Sequence, residues 1–325
     1  MKLIIEDKNG LLNQQYEQNE LNRLANGGTE LIGRELIKRL DPNLLENFQI
    51  IPSRVRDLIP NKKHILHLHD LPNDNESRHL SDPESVKRFD GIVCVSNWQM
   101  QQYAQYFNIP YSKFAVIKNA IVPFGQIEKP TDKIRLIYHT TPHRGLEILV
   151  PVFEKLCEVH DDIELDVFSS FNLYGWPERD EPYKELFNRC KNNPKIRYHG
   201  SVSNDEVREA LKTADIYAYP CIWPETSCLS VIEAMAAKCT VVCPNLAVLP
   251  ETCANFAVMY QFNENIQEHA NIFANVLHTV INVHRENSTG LNNTREFQQV
   301  YFNQFYSWDS RELEWAAYLQ SKLKQ

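Results

Sequence analysis

Two carboxylates, Glu225 and Glu233, bracket the start of a helix-forming run and are the first residues with chemistry to offer. Ahead of them lies a β-branched and aromatic stretch, residues 216–219, broken by a loop with Pro220 and Pro224. Thr226 and Ser227 supply hydroxyls suited to a helix cap, and the run continues to Ala237. Counted as helix, the positions between the acids span about 800°, roughly two turns and some 80° more. Glu233 is therefore expected about two turns inside the helix, too far from Glu225 to share a proton. Free N–H groups at Ser227, Cys228 and Leu229, with the positive end of the helix dipole, favour an anion there. An acid in front and another further down suit a ligand with hydroxyls on either side of a phosphate, as in a nucleotide sugar. The spacing alone favours the plainer reading, an amphipathic helix with two solvated acids.

A second anion-suited turn, Thr140-Thr141-Pro142-His143-Arg144-Gly145-Leu146, separates a strand-like run at 135–139 from a helical run at 146–160. An Arg at a helix N-terminus is mildly repelled by the dipole, and an anion bound between them resolves the conflict. Arg144 is a functional candidate on that ground. Gly27-Gly28 opens a third helix, with Leu31, Ile32, Leu36, Ile37 and Leu40 on one face. A Gly pair lets backbone approach a phosphate, although many ordinary helices also begin with Gly. Three histidines, His64, His67 and His69, raise a zinc reading. In a strand His67 and His69 share a face and His64 points away, and no Cys or further His lies nearby, so no metal is expected. One buried and one exposed histidine is the structural alternative. Asp161-Asp162 and Glu164-Leu165-Asp166 have the spelling of a metal-binding acidic pair, but their places at a turn and inside a strand point to solvated acids.

The elements that position these residues read as two β/α blocks. Strands are expected at 48–51, 64–68, 91–95 and 114–117, then at 135–139, 163–168, 196–199, 216–219 and 240–242. Ser96…Gln99 and Ser203…Glu206 have the spacing of capping boxes, and the capping role is sufficient for Ser96. Residues 123–132, rich in Pro, Gly and charge, read as the linker. Residues 172–182 form an irregular aromatic loop, and the tail carries helices at about 266–283, 293–304 and 310–322. The fold class is α/β, two Rossmann-like domains facing a cleft. No G-x-G-x-x-G follows either opening strand, which excludes a Rossmann dehydrogenase.

Bulk properties narrow the function class. A chain of 325 residues allows one large or two ordinary domains. It is 43% apolar and 23% charged, a soluble globular composition, and no apolar run approaches the ~20 residues of a transmembrane segment. The opening MKLIIEDKNG reads as a first strand at 2–6 rather than a signal peptide. A net charge of -8 with no basic stripe argues against nucleic acid as a partner. Arg54, Arg56, Lys62 and Lys63 leave peripheral membrane contact open, with a solvated surface the plainer reading. The eight cysteines contain no Cys-x-x-Cys pair and sit mostly in apolar runs, so a reducing, cytoplasmic setting is expected and the sequons at Asn75, Asn287 and Asn292 read as chance.

The stretch from Glu225 to Glu233, followed by Ala234-Met235-Ala236 and a strand at Thr240-Val241-Val242, resembles the E-x7-E motif of family 4 type retaining glycosyltransferases (group 1 glycosyltransferases). That resemblance implies the GT-B fold and a metal-independent transferase, with no cofactor beyond a nucleotide-sugar donor such as a UDP- or GDP-sugar. Glu225 would contact the donor sugar and Glu233 the ribose hydroxyls. Arg144 matches the family's phosphate-gripping Arg-Gly-Leu turn, and Gly27 and Gly28 match its diphosphate loop. The family's more usual Arg several residues earlier is absent, which would leave the grip to Arg144 and the hydroxyls of Thr140 or Thr141. His69, with His67 as fallback, matches a histidine facing donor sugar and acceptor, and Gly200 begins a loop that lies against the base. Asn119-Ala120-Ile121 resembles the family's Asn-Gly-Val and Pro250-Glu251 its Pro-Glu loop, while Tyr306-Ser307-Trp308 precedes a helix similar to the last one, which crosses back. The domains would then be residues 1–125 with 308–325, the acceptor domain, and residues 126–307, the donor domain. Departures from the family are Ala120, Cys228 and Cys239 in place of glycines; a Cβ at Cys228 narrows the room for a phosphate. The acceptor, a glycan, a lipid or a small molecule, is not legible. The alternatives are a GT-B sugar-nucleotide epimerase and a catalytically silent sugar-binding protein on the same scaffold.

Overall fold

The computed structural model describes residue 25, residues 27–286 and residues 289–324. The expected strand at 2–6 and the sequon at Asn287 lie outside the described residues. The chain divides into two compact units, one reaching Ala120 and resuming at Trp308, the other Ile121–Ser307.

The first unit is built on four parallel strands in the order β1 (Phe48–Pro52), β2 (Lys63–Leu68), β3 (Gly91–Cys94) and β4 (Phe114–Val116). Their apolar runs are continuous rather than alternating because both faces are covered. Ile51, Leu66, Leu68, Ile92 and Cys94 fill the core with Phe89 and Tyr103. The helix Trp308–Leu323 belongs to this unit and buries Trp315 and Leu319. It lies so close to β3 that a Cβ added at Gly91 would stand 2.0 Å from Tyr318 Oη.

The second unit carries a six-stranded parallel sheet in the order β10-β9-β8-β5-β6-β7. The strands are β5 (Ile134–Tyr138), β6 (Ile163–Val167), β7 (Ile196–Tyr198), β8 (Ile216–Ala218), β9 (Thr240–Pro244) and β10 (Val258–Tyr260). The order reverses between β5 and β8, the switch point at which open α/β sheets bind ligands outside the carboxyl ends of their strands. Both candidate turns, after β5 and after β8, emerge there.

Several expectations change. The stretch expected as a linker is strapped onto the second unit, because Phe124 and Ile127 are buried and its carbonyls find side-chain donors. Asn303 holds the backbone of Phe124 on both sides, at 2.9 and 2.8 Å, while Gln299 and Lys238 donate to the carbonyls of Gly125 and Ile127. The division therefore falls at Ala120 and Ile121, ahead of 125–126. The helix expected to reach His160 ends at Leu156, where the N–H of Val159 has tightened onto the Leu156 carbonyl in an i→i−3 turn. Ser203 and Glu206 form the full reciprocal capping box. At Ser96 only one arm is as expected: Ser96 Oγ accepts from the N–H of Gln99, but Gln99 Oε1 takes the N–H of Val95, one residue earlier. The aromatic loop holds two short 3-10 segments, Phe171–Tyr174 and Pro177–Tyr183.

Candidate functional site

The helix after β8 begins later than its sequence suggests. Its first residue is Leu229 and its cap is Cys228, in the left-handed region at φ 65°, with no side-chain cap bond. Thr226 and Ser227 do not cap it. The Ser227 carbonyl instead accepts from Thr252 Oγ1 at 2.7 Å. The open N–H groups are thus those of the first turn from Leu229, and Ser227 is not among them. Glu233 lies about one turn inside rather than two, since the residues from Glu225 to Cys228 are loop.

Glu225 and Arg144 meet. The Arg144 guanidinium donates through Nη1 to Glu225 Oε1, an ion pair with side chains 19% and 7% exposed. Tyr219 Oη donates to the same oxygen at 2.5 Å. Burial alone would pull the Arg144 pKa down, but the charge of Glu225, with Tyr174, Tyr219 and Cys228 beside it, more than offsets this and holds it well above the usual value. Arg144 Nη2 makes only a long contact, 3.5 Å, to Tyr174 Oη, and its Nε is buried without a partner. Gly145 follows at φ 120°, and a Cβ there would stand 2.1 Å from the Pro220 carbonyl oxygen. The two turns are therefore pressed backbone to backbone at the switch point. Thr140 and Thr141 are buried in the same turn, and Thr141 Oγ1 has no hydrogen-bond partner.

Glu233 stands apart from this pair. Its Oε1 accepts from Arg208 Nη1 at 2.9 Å and Asn204 Nδ2 at 3.3 Å, both on the helix Asn204–Leu211. Arg208 also caps the Val122 carbonyl and lies 3.9 Å over the Phe124 ring. Gly200, at φ 68°, follows His199, whose ring stacks on Phe168 at 4.1 Å and bonds Asp166 at 2.7 Å. Asp166 is not solvated as expected: it is buried and gripped by Arg197 at 2.6 and 2.8 Å. Asp162 pairs with Arg285. Among the described residues no group of three or more His, Cys, Asp or Glu is placed to hold a metal ion, and no helix is long and apolar enough to cross a membrane.

Gly27, Gly28 and His69 belong to the first unit. Gly27 caps the helix Gly28–Arg39, so the Gly pair does open a helix. His69 lies just past β2, yet its ring meets that of His67, with centroids 4.1 Å apart and Nε2 3.3 Å from His67 Nδ1. Burial pushes the His69 pKa down to about 4 and His67 well below its usual value, so both are neutral near pH 7. His64 turns away and bonds the Ile59 carbonyl. Ser53 Oγ accepts from the N–H of His69, and Gln99 and Tyr103 donate to the Asp70 carbonyl. Sequence reasoning passed over Tyr219, Arg208, Ser53 and this use of Gln99. Only Tyr219 carried a signal, a polar tip on a strand expected to be buried.

A model of the family "Glycosyl transferases group 1" matches residues 123–286. The chain is 21% identical over 196 residues to the GPI3 subunit of phosphatidylinositol N-acetylglucosaminyltransferase from Saccharomyces cerevisiae, covering 57% of this chain and 42% of that protein. It is 21% identical over 208 residues to the lipopolysaccharide 1,2-N-acetylglucosaminetransferase of Salmonella typhimurium, covering 60% and 52%. The chain thus spans about half the length of these curated relatives. A glycosyltransferase structure from Rickettsia africae superposes with a TM-score of 0.67 at 17% identity, covering 97% of this chain and 89% of that one. That likeness is one of fold: the chain has the GT-B architecture of parallel-sheet α/β units.

Proposed function

The chain belongs to the glycosyl transferases group 1, and on that premise we propose that it is a family 4 type retaining transferase moving a hexose-type sugar from a nucleotide-sugar donor to an acceptor hydroxyl. The observation that carries this reading is the buried Arg144–Glu225 pair at the switch point, beside the N-terminus of the helix Leu229–Ala236. A donor diphosphate needs positive charge aimed at the oxygens that gain charge as the sugar leaves. Arg144 Nη2 and the N–H groups from Leu229 onward supply it without a metal ion, with Thr140 and Thr141 as further donors; a diphosphate role for Gly27 and Gly28, in the first unit, rests on the family resemblance alone. Cys228 tightens the entrance, its thiol 3.4 Å from Ser230 Oγ.

Glu225 accepts both of its described hydrogen bonds on Oε1, which leaves Oε2 to take a hydroxyl of the donor sugar. Glu233, oriented by Arg208 and Asn204, takes the ribose hydroxyls, and the turn at Gly200 lies against the base. His69, in the first unit and neutral near pH 7, is assigned on the family resemblance alone to proton handling at the donor sugar and acceptor. The acceptor is a glycan, lipid or small-molecule hydroxyl. The relatives named for N-acetylglucosamine transfer favour an N-acetylhexosamine or hexose donor.

The test is a thermal-shift screen without added metal against UDP, GDP, ADP and their sugar conjugates. A ligand at about a hundred times its dissociation constant adds roughly 2.7 kcal/mol. One base should give a clear shift that Glu233→Gln removes. No shift with any nucleotide would overturn the reading. Turnover of the sugar nucleotide with no acceptor, giving an epimer, would favour the epimerase.

A further inference from the structure

Three tyrosines lie fully buried around the switch point, and the proposed chemistry uses none of them. Tyr138 ends β5, Tyr217 is in β8 and Tyr219 follows it; all are 0% exposed. The Tyr217 and Tyr219 rings are stacked, 5.1 Å apart at 12°, and Tyr138 stands 6.3 Å from Tyr219. A buried phenol must find a partner for its O–H, and phenylalanine would fill the same apolar space without that demand. Each phenol instead reaches a different wall of the site. Tyr138 Oη donates to the Thr141 carbonyl at 2.9 Å, Tyr217 Oη to Ser230 Oγ at 3.0 Å, and Tyr219 Oη to Glu225 Oε1 at 2.5 Å. These are the Arg144 turn, the first turn of the helix Leu229–Ala236, and the acid between them.

We propose that Tyr219 and Tyr138 are positioning residues with separate duties: Tyr219 aims Glu225 at the donor sugar, and Tyr138 sets the turn that holds the diphosphate. Resting on the transferase reading above, this adds which part of the donor each tyrosine serves. A carboxylate held by Arg144 alone can pivot about one charged contact. The second donor on the same oxygen fixes the plane of the carboxylate and so the direction of Oε2. Tyr138 touches no acid; its phenol pins the Thr141 carbonyl three residues before Arg144, so it acts on whatever Arg144 and the threonine hydroxyls grip. The two duties predict opposite signatures on one pair of ligands.

The experiment is calorimetric titration of the full chain with UDP against UDP-glucose, and GDP against GDP-mannose. Wild-type protein should bind one conjugate more tightly than its bare diphosphate. Tyr219→Phe should weaken that conjugate roughly tenfold, the scale of one hydrogen bond to a charged group, and leave the diphosphate within about twofold. Tyr138→Phe should weaken both by one common factor. A Glu225→Gln protein should lose the conjugate's advantage, and adding Tyr219→Phe to it should change nothing further if the phenol acts through the acid. Melting temperatures of the variants separate misfolding from misaiming. Tyr219→Phe lowering both ligands alike, or neither, with unchanged melting, would overturn the assignment. Failure of the transferase reading would show first in wild-type protein, as no binding of any of the four ligands, and would take this proposal with it.

Discussion

Without Arg144, Glu225 would stay 6% exposed with only the Tyr219 phenol to hold a negative charge. Breaking a buried pair from one side costs about 3–5 kcal/mol, because the charge left behind is neither solvated nor paired. Arg144→Met should therefore lower unfolding free energy by roughly 3 kcal/mol in urea, and adding Glu225→Gln should recover most of it. Equal loss in the single and double variants would show that the pair is not where the cost lies. The histidines make a prediction about pH. Burial sets His69 and His143 to about 4 and His139 to about 3, below the ordinary 6.5. Between those values the unfolded chain binds protons that the folded chain refuses, so stability is complete above about 6.5 and falls as pH drops toward 4. Melting temperature should decline across that window, with a shallower decline in His69→Asn; a flat profile would contradict the burial of these rings. The sequence nominated Arg144 and Glu225 for separate reasons, but their contact joins positions 81 apart and leaves no local trace.

At the scale of elements, apolar runs marked β1 to β9 because both faces of each parallel sheet are covered, whereas the short edge strand β10, Val258–Tyr260, with Val258 exposed, carried no such run and was not expected. Helix starts were legible where a side chain does the capping, as at Ser203, whose partner Glu206 lies one turn on. The start after β8 was misjudged because its cap is conformational: Cys228 turns left-handed, which cysteine rarely does, while Thr226 and Ser227 only look like caps. Gly145 is the counterpart in which the residue type does speak. At φ 120°, with the Pro220 carbonyl 2.1 Å from any added Cβ, it permits the close approach of the two turns. Gly145→Ala should cost roughly 2–4 kcal/mol and weaken nucleotide binding as well, since the turns must part. Chemical denaturation with an unchanged m-value checks the first, and the nucleotide titration the second. A neutral substitution would mean that the turns are not pressed together in solution.

The whole molecule is two units, and the sequence announced both by restarting its β/α alternation. It could not announce the strand order of either sheet, since pairing partners such as Leu136 and Ile216 are far apart in sequence. Nor did it locate the junction, because the Pro- and Gly-rich strap at 123–132 has a linker's composition and a packed segment's contacts. The helix Trp308–Leu323 lets the units be tested apart. Trp315 is 1% exposed, edge-on to His67 at 4.9 Å, and Trp315→Ala should remove about 3–5 kcal/mol from the first unit alone. Hydrogen exchange read by mass spectrometry should show β2 and β3 losing protection while β5, β8 and β9 keep theirs. Equal loss in both sheets would mean that the molecule unfolds as one body.

Because Trp308–Leu323 completes a unit whose earlier part ends at Ala120, the order of synthesis is not the order of completion. Some 190 residues separate the two, about 10–40 s at a ribosome's pace of roughly 5–20 residues per second. That interval is the synthesis of the second unit itself, through which the first waits with the flank of β3 beside Gly91 uncovered. A nascent chain of this design is exposed to aggregation in the earlier-made part of its first unit, so chaperones that hold that part during synthesis should raise its yield more than those that act on the released chain.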